Sequence, residues 1–468
     1  MPKIVAGFTS VENRIRSFFD HQSLGLLLRQ SNIRKDKGVS IDTVFQFLLA
    51  LVFTGKNLFR LLESSESPEG ISKDSVYRLL NSVSANWRRF LSLLSTRVIV
   101  QQLLPLTDDS VIKVLIADDT LYNRDRSKRV ELLSRVHDHN TGRYLRGFRM
   151  LTMGWSDGHS FVPMALSMLS SAKKSNRLAP MRDDLDKRTN GYKRRQESMR
   201  KSTDVLVDMV ALAMMAETKA HHLLVDSWFA FPATIRRLHV LGMHTICMLK
   251  DTGKVTYNLE GCPHTLKELY CSVRKRCGRA KILADVSVSI GMDEQGIPVT
   301  AKIIFVRDRR SKKWLALLST DTTLTAEEIV KLYGRRWDIE TFFKMAKSFL
   351  NLAKEFQSRS FDALVAHSTV VCCRYIILEL ARRTTKDPRT LGTLFYAVCD
   401  ELRQISFTEA LTLLLTGLEE TLNNVAGLCK EQSQLLIQRF VEALPRVFRD
   451  RLLLLAPLCG QNILLSAG

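Results

Sequence analysis

Two apolar runs in this chain end on carboxylates. Val111–Ala117 is β-branched and apolar and leads into Asp118-Asp119-Thr120, and Leu223-Leu224-Val225 leads into Asp226. Active sites in α/β sheets favour the carboxyl ends of strands, so both endings are candidate sites. A third acid, Glu340, lies in a stretch of helical periodicity with Tyr333, Arg336 and Lys347. At about 100° per residue these four share a stripe roughly 60° wide over about four turns. Ile339, Phe342, Phe343 and Ala346 offer apolar contacts toward a sheet. Alone, such a stripe is the solvated face of many helices; two strand-end aspartates set this one apart.

Three converging carboxylates repel one another unless cations lie between them. Two Mg²⁺ ions about 3.5–4 Å apart, or Mn²⁺ in their place, would neutralise them and activate a water or a 3′-hydroxyl for in-line attack on a phosphodiester. Mg²⁺ takes few protein ligands, so two Asp and one Glu suffice. Arg336, Lys347 and Lys344 would then hold phosphates, and Tyr333 would pack on a sugar or base. Either Asp118 or Asp119 can serve as the first metal-binding acid.

Composition agrees with a polyanionic partner. Among 468 residues, Lys and Arg total 69 against 48 Asp and Glu, a net charge of +21. A surplus of that size points to nucleic acid. From Thr390 onward six basic residues face eight acidic ones, so the surplus lies before that point and the tail is a poor phosphate grip. Arg124–Arg129, Lys187–Arg195, Arg274–Lys281 and Arg307–Lys313 are basic clusters suited to phosphate contacts. Nine cysteines without regular spacing read as a reduced, cytoplasmic protein. No secretory leader is recognisable at Met1–Asn13. The most apolar segment, Leu364–Leu380, is interrupted by His367 and Arg374, so no membrane role is expected.

The elements that must position the acids follow a clear order. The expected class is α/β, with a mixed-sheet core interrupted by a β-rich insertion and flanked by helical regions. Residues 1–108 read as a helical N-terminal DNA-binding region, in which a helix from Ser72 toward Asn86–Phe90 could form half of a helix-turn-helix. Its alternative is an ordinary core helix with Arg78, Arg88 and Arg89 solvated. Residues 109–252 form the first part of the core, with strands at Phe148–Trp155 and Phe161–Met168 around the Ser156-Asp157-Gly158 turn. Residues 253–322 are the β-rich insertion, 323–385 complete the core, and 386–468 are a helical region suited to a dimer contact. Cys262, His264, Cys271 and Cys277 lack the paired spacing of a zinc site.

The spacing Tyr333-x2-Arg336-x3-Glu340-x6-Lys347 resembles the Y-x2-R-x3-E-x6-K signature of the DDE transposases of bacterial insertion sequences. Val225-Asp226-Ser227-Trp228-Phe229 and Ile116-Ala117-Asp118-Asp119-Thr120 resemble that family's two aspartate strands. The likeness spans roughly Ser110–Arg383 and implies an RNase H-like core, with Asp118, Asp226 and Glu340 as catalytic triad. Thr120, two positions on, favours Asp118 over Asp119. Tyr333, Arg336, Trp337, Lys344 and Lys347 would contact DNA. The implied activity is Mg²⁺-dependent cleavage at element ends and strand transfer into target duplex by cut-and-paste, with a homodimer in the synaptic complex. A bacterial cytoplasmic location beside the nucleoid goes with it. Two rival readings are a DNA-binding protein without catalysis and a nuclease that cuts without joining.

Overall fold

The computed structural model describes residues 9–35, 37–63, 70–138, 141–308, 313–356, 358–399 and 430–444, with single positions 415, 418 and 422. Most of the expected C-terminal region therefore lies outside the described residues, as does its possible dimer contact.

Six helices come first: α1 (Thr9–His21), α2 (Leu24–Gln30), α3 (Ile41–Leu51), α4 (Leu58–Leu62), α5 (Lys73–Leu80) and α6 (Trp87–Val98). The last four have marked starts: Ser40, Asn57, Ser72 and Asn86 each accept the backbone N–H three residues on. Each cap satisfies a donor the helix leaves unpaired, worth about 1 kcal/mol. The Asn86 cap corrects an expectation. The helix from Ser72 stops at Leu80, and a new one begins at Trp87. Arg88 is not solvated either, since it donates to Glu197 at 2.5 Å and to the Leu166 carbonyl at 3.2 Å.

The sheet follows: β1 (Lys113–Asn123), β2 (Ser134–Asp138), β3 (Arg143–Ser156), β4 (Phe161–Leu169), then α7 (Asn190–Ser198), α8 (Ser202–Met214), β5 (Ala220–Val225), α9 (Pro232–Val240) and β6 (His244–Leu249). In space these strands run β4-β3-β1-β5-β6. β5 and β6 lie parallel to β1, and β3 lies antiparallel to both β1 and β4. This mixed α/β arrangement is compatible with an RNase H-like core.

β7 (Thr256–Leu259), β8 (Cys262–Thr265), α10 (Leu266–Ser272), β9 (Ile282–Met292), β10 (Pro298–Arg307) and β11 (Trp314–Ser319) continue the same sheet. The junction is β11, antiparallel to β6. Three helices close the order: α11 (Ala326–Gly334), α12 (Trp337–Ser348) and α13 (Phe361–Thr384), followed by the separate helix Lys430–Ala443.

Every residue of β4 is buried, with α6, α8 and α13 packed on it. α13 is long and apolar enough to cross a membrane by length and composition, but 94% of its apolar window is buried inside the protein. Its charges are paired internally. Arg374 donates to the Leu49 carbonyl and to Glu355, tying α3 to α13. Asp362 accepts from Arg195 at 2.7 Å, and Arg195 also donates to Glu131 at 2.6 Å. All three of these last residues are buried, so this cluster fastens α7, α13 and the segment before β2 to one another.

Candidate active site

β1 does not end at Asp118, as its apolar run suggested. It continues to Asn123 because β3 goes on pairing with it, whereas β5 stops pairing at Ala117↔Val225. Asp118 therefore stands at the point where the parallel pairing ends, next to Asp226, the first residue beyond β5. Asp226 accepts the Trp228 backbone N–H at 2.9 Å, which turns the chain out of the strand. Phe229 is buried behind that turn, and Pro232 starts α9, where its missing N–H costs nothing.

Alternation along β1 separates the two neighbouring aspartates. Asp118 and Thr120 face α12. The Asp118 Oδ2 accepts from Arg336 at 3.0 Å, and Thr120 Oγ1 contacts the Lys347 Nζ at 2.5 Å. Asp119 is paired elsewhere, with Arg149 at 2.6 Å, and Arg149 also donates to the His137 carbonyl. Arg336 reaches Glu340 at 2.5 Å with its other terminal nitrogen. One guanidinium thus bridges the acids of β1 and α12.

The helix carrying the stripe is not continuous. α11 ends at Gly334 and α12 starts at Trp337. Arg335, Arg336 and Asp338 donate to the carbonyls of Leu332, Tyr333 and Arg335, three residues back instead of four. The break is held from outside: Arg335 donates to the Ile112 carbonyl at 2.5 Å, and Ser156 Oγ donates to Asp338 at 2.6 Å. Gly158, at φ +85°, leaves room for Arg335, whose Nε would lie 2.9 Å from a Cβ there. Ser156, Asp338 and Arg335 escaped the sequence reading, since their contacts span more than 180 residues and leave no local periodicity. Tyr333 still reaches the centre, with Arg336 and Asp226 within electrostatic range. Ile339, Phe342, Phe343 and Ala346 are buried.

Electrostatics report crowding. Burial, then the charge of Asp226, pushes the Asp118 carboxyl up to about 7 even with Arg336 opposing. Burial raises Asp226 as well. Burial also raises the Tyr333 hydroxyl, to about 12, and lowers Lys347. Arg336 is raised: burial works against its charge, but Tyr333, Glu340 and Asp118 outweigh it.

These donors are all carboxylate oxygens, which suits a hard divalent cation, and the crowding of Asp118 by Asp226 is a cost that such a cation would relieve. At present Arg336 supplies the positive charge. Among the described residues no three His, Cys, Asp or Glu stand together as a metal cluster, neither here nor at Cys262, His264, Cys271 and Cys277.

Aromatic groups border the centre. Trp337 is 62% exposed and Trp228 is 49% exposed. Arg336 lies 6.0 Å from the Trp337 ring and Lys250 lies 5.9 Å from the Trp228 ring. Lys344 is exposed on α12.

Residues 46–259 match a family model described as DDE superfamily endonuclease. The match supports a DDE-type transposase family. It includes Asp118 and Asp226 and ends before Glu340. A match of this kind points to nuclease- or transposase-type activity. DDE endonucleases generally use divalent metals. No curated protein matches the chain.

Proposed function

We propose that this chain is a cut-and-paste DNA transposase of the insertion-sequence type, with Asp118, Asp226 and Glu340 as its catalytic acids. The single observation that carries this reading is the meeting of Asp118, Arg336 and Glu340 beside Asp226, across elements separated by more than 200 residues. Asp118 is favoured over Asp119 because it faces α12, whereas Asp119 is held by Arg149.

Asp118, Asp226 and Glu340 would hold Mg²⁺, as two ions, with Mn²⁺ able to substitute. Such ions would neutralise these acids and would lower the pKa of an attacking water or 3′-hydroxyl. Glu340 would serve as a ligand once Arg336, which now donates to it, turned to a DNA phosphate. Lys347, whose ammonium is disfavoured by burial, would gain a counter-charge from a phosphate, and Lys344 adds an exposed contact. Trp337 and Tyr333 pack on bases or sugars of the end being cut.

The test is Mg²⁺-dependent cleavage and joining of a labelled duplex carrying the DNA that flanks the gene, comparing wild type with Glu340→Ala. Cutting and joining by wild type, with binding alone by the variant, is the expected outcome. Cutting without joining would replace transposase by nuclease. Binding by both proteins with cutting by neither would leave only DNA binding.

A further inference from the structure

The sheet face that carries Asp118 extends past the acidic centre. β1 and β3 pair in unbroken register from Val114↔Ser156 to Asn123↔Gly147. Asp118, Thr120 and Tyr122 therefore share a face with Thr152, Met150 and Phe148. Basic groups mark successive steps along it. Arg336 meets Asp118, Lys347 meets Thr120, and Arg124 lies 5.5 Å from the Tyr122 ring. Further along the face Phe148 packs on Phe361, the first residue of α13, at 5.8 Å. One step further on the same face Arg146 is exposed, and directly opposite it in β2 stands Arg135, also exposed. His137 and Tyr144 form the next opposed pair, with Tyr144 72% exposed.

Like charges directly opposed across antiparallel strands destabilise the pair. Arg146 reaches only the Ser127 carbonyl, at 3.4 Å, and Arg135 has no side-chain hydrogen bond or ion pair among the described residues. Two carboxylates lie nearby. Asp125 accepts the backbone N–H of Arg146, and Asp138 accepts from Thr141. Arg126, Lys128 and Arg129, all exposed in the segment after β1, more than offset them. The opposed arginines thus carry a repulsion that a polyanion would offset, and among the described residues neither forms an ion pair.

We infer that the exposed face of the β2–β3 hairpin is a second contact for duplex DNA, gripping phosphates of one arm leading away from the bond to be cut. The inference rests on the DNA reading above. Its reach follows from the register. Thr152 faces Asp118, and Arg146 lies six residues along β3 from it. At about 3.3 Å per residue the strand contour is at most roughly 20 Å, and the Arg149 hydrogen bond to the His137 carbonyl curls the hairpin back toward the centre. Along a duplex, at about 3.4 Å per base pair, that is at most about six base pairs.

The test measures binding of the full chain to duplexes that carry the cleavage position and are shortened stepwise from either side, at several salt concentrations. Wild type is expected to lose affinity sharply as one arm is shortened past a length of at most about six base pairs, and not when the other is. Arg135→Gln/Arg146→Gln is expected to lack that step, with a salt slope shallower by about 1.8, or roughly 0.9 per lost phosphate contact. Arg135→Lys/Arg146→Lys, which keeps the charge, should bind as wild type does and shows that the strands still pair. A Gln variant with an unchanged step and slope would overturn the hairpin contact alone. Wild type that binds no duplex would overturn the functional reading and this contact together.

Discussion

Replacing Asp118 with asparagine removes a charge that the fold holds at a cost. Burial and the neighbouring Asp226 raise that carboxyl from its ordinary 3.8 to about 7. The native state therefore keeps a proton that the unfolded chain has released, and stability falls as pH rises between about 4 and 7. At about 1.4 kcal/mol per pKa unit the full penalty is on the order of 4 kcal/mol above neutrality. The Asp118 side chain is only 17% exposed, so solvent screening removes little of it. An asparagine at this position has no such titration. Relative to wild type, metal-free Asp118→Asn should gain about 3 kcal/mol between pH 5 and pH 8, with no further gain above that. The attraction of Arg336 for the ionised carboxylate is already contained in the value of about 7, so it calls for no separate correction to this slope. Urea unfolding of both proteins across that range reads the difference directly. Saturating Mg²⁺ should narrow it by stabilising the wild type. A difference that stays flat with pH would refute the crowding of Asp118 and, with it, the electrostatic case for a cation at this position.

Other outcomes follow from the same contacts. Arg195→Met leaves Glu131 and Asp362 buried without their shared cation, and should cost about 3–5 kcal/mol in chemical denaturation. Lys347→Ala should weaken duplex binding across all sequences and make its salt slope shallower by about 0.9, read by fluorescence anisotropy. Trp337→Ala should leave the unfolding midpoint unchanged, because the ring is 62% exposed. It should lower affinity for an unpaired end by about 1–3 kcal/mol.

The proposed acids stand out in the sequence because strand-end aspartates and a spaced helical motif are local patterns. Several things around them were not. β1 outruns its apolar segment because β3 supplies pairing as far as Asn123, and no residue within β1 announces that partner. The break between α11 and α12 is held by Ile112 and Ser156, which are distant in sequence, so helical spacing alone read one continuous stripe. The choice between Asp118 and Asp119 turns on which face meets α12, and the strand's alternation has no meaning until a helix lies on one side. Arg88 looked like surface because its partner Glu197 is 109 residues away. The β2 strand, with Arg135, was not anticipated at all. Five residues of mixed polarity form it only because β3 extends beyond the core.

The most direct test of the central claim is anomalous diffraction from crystals of the full chain soaked with Mn²⁺ in the presence of duplex DNA. The expected result is anomalous density beside the carboxylates of Asp118, Asp226 and Glu340, with the Arg336 guanidinium turned from Glu340 onto a phosphate. Density elsewhere, with Arg336 still bridging Asp118 and Glu340 while DNA is bound, would contradict the assignment of these three acids to catalysis.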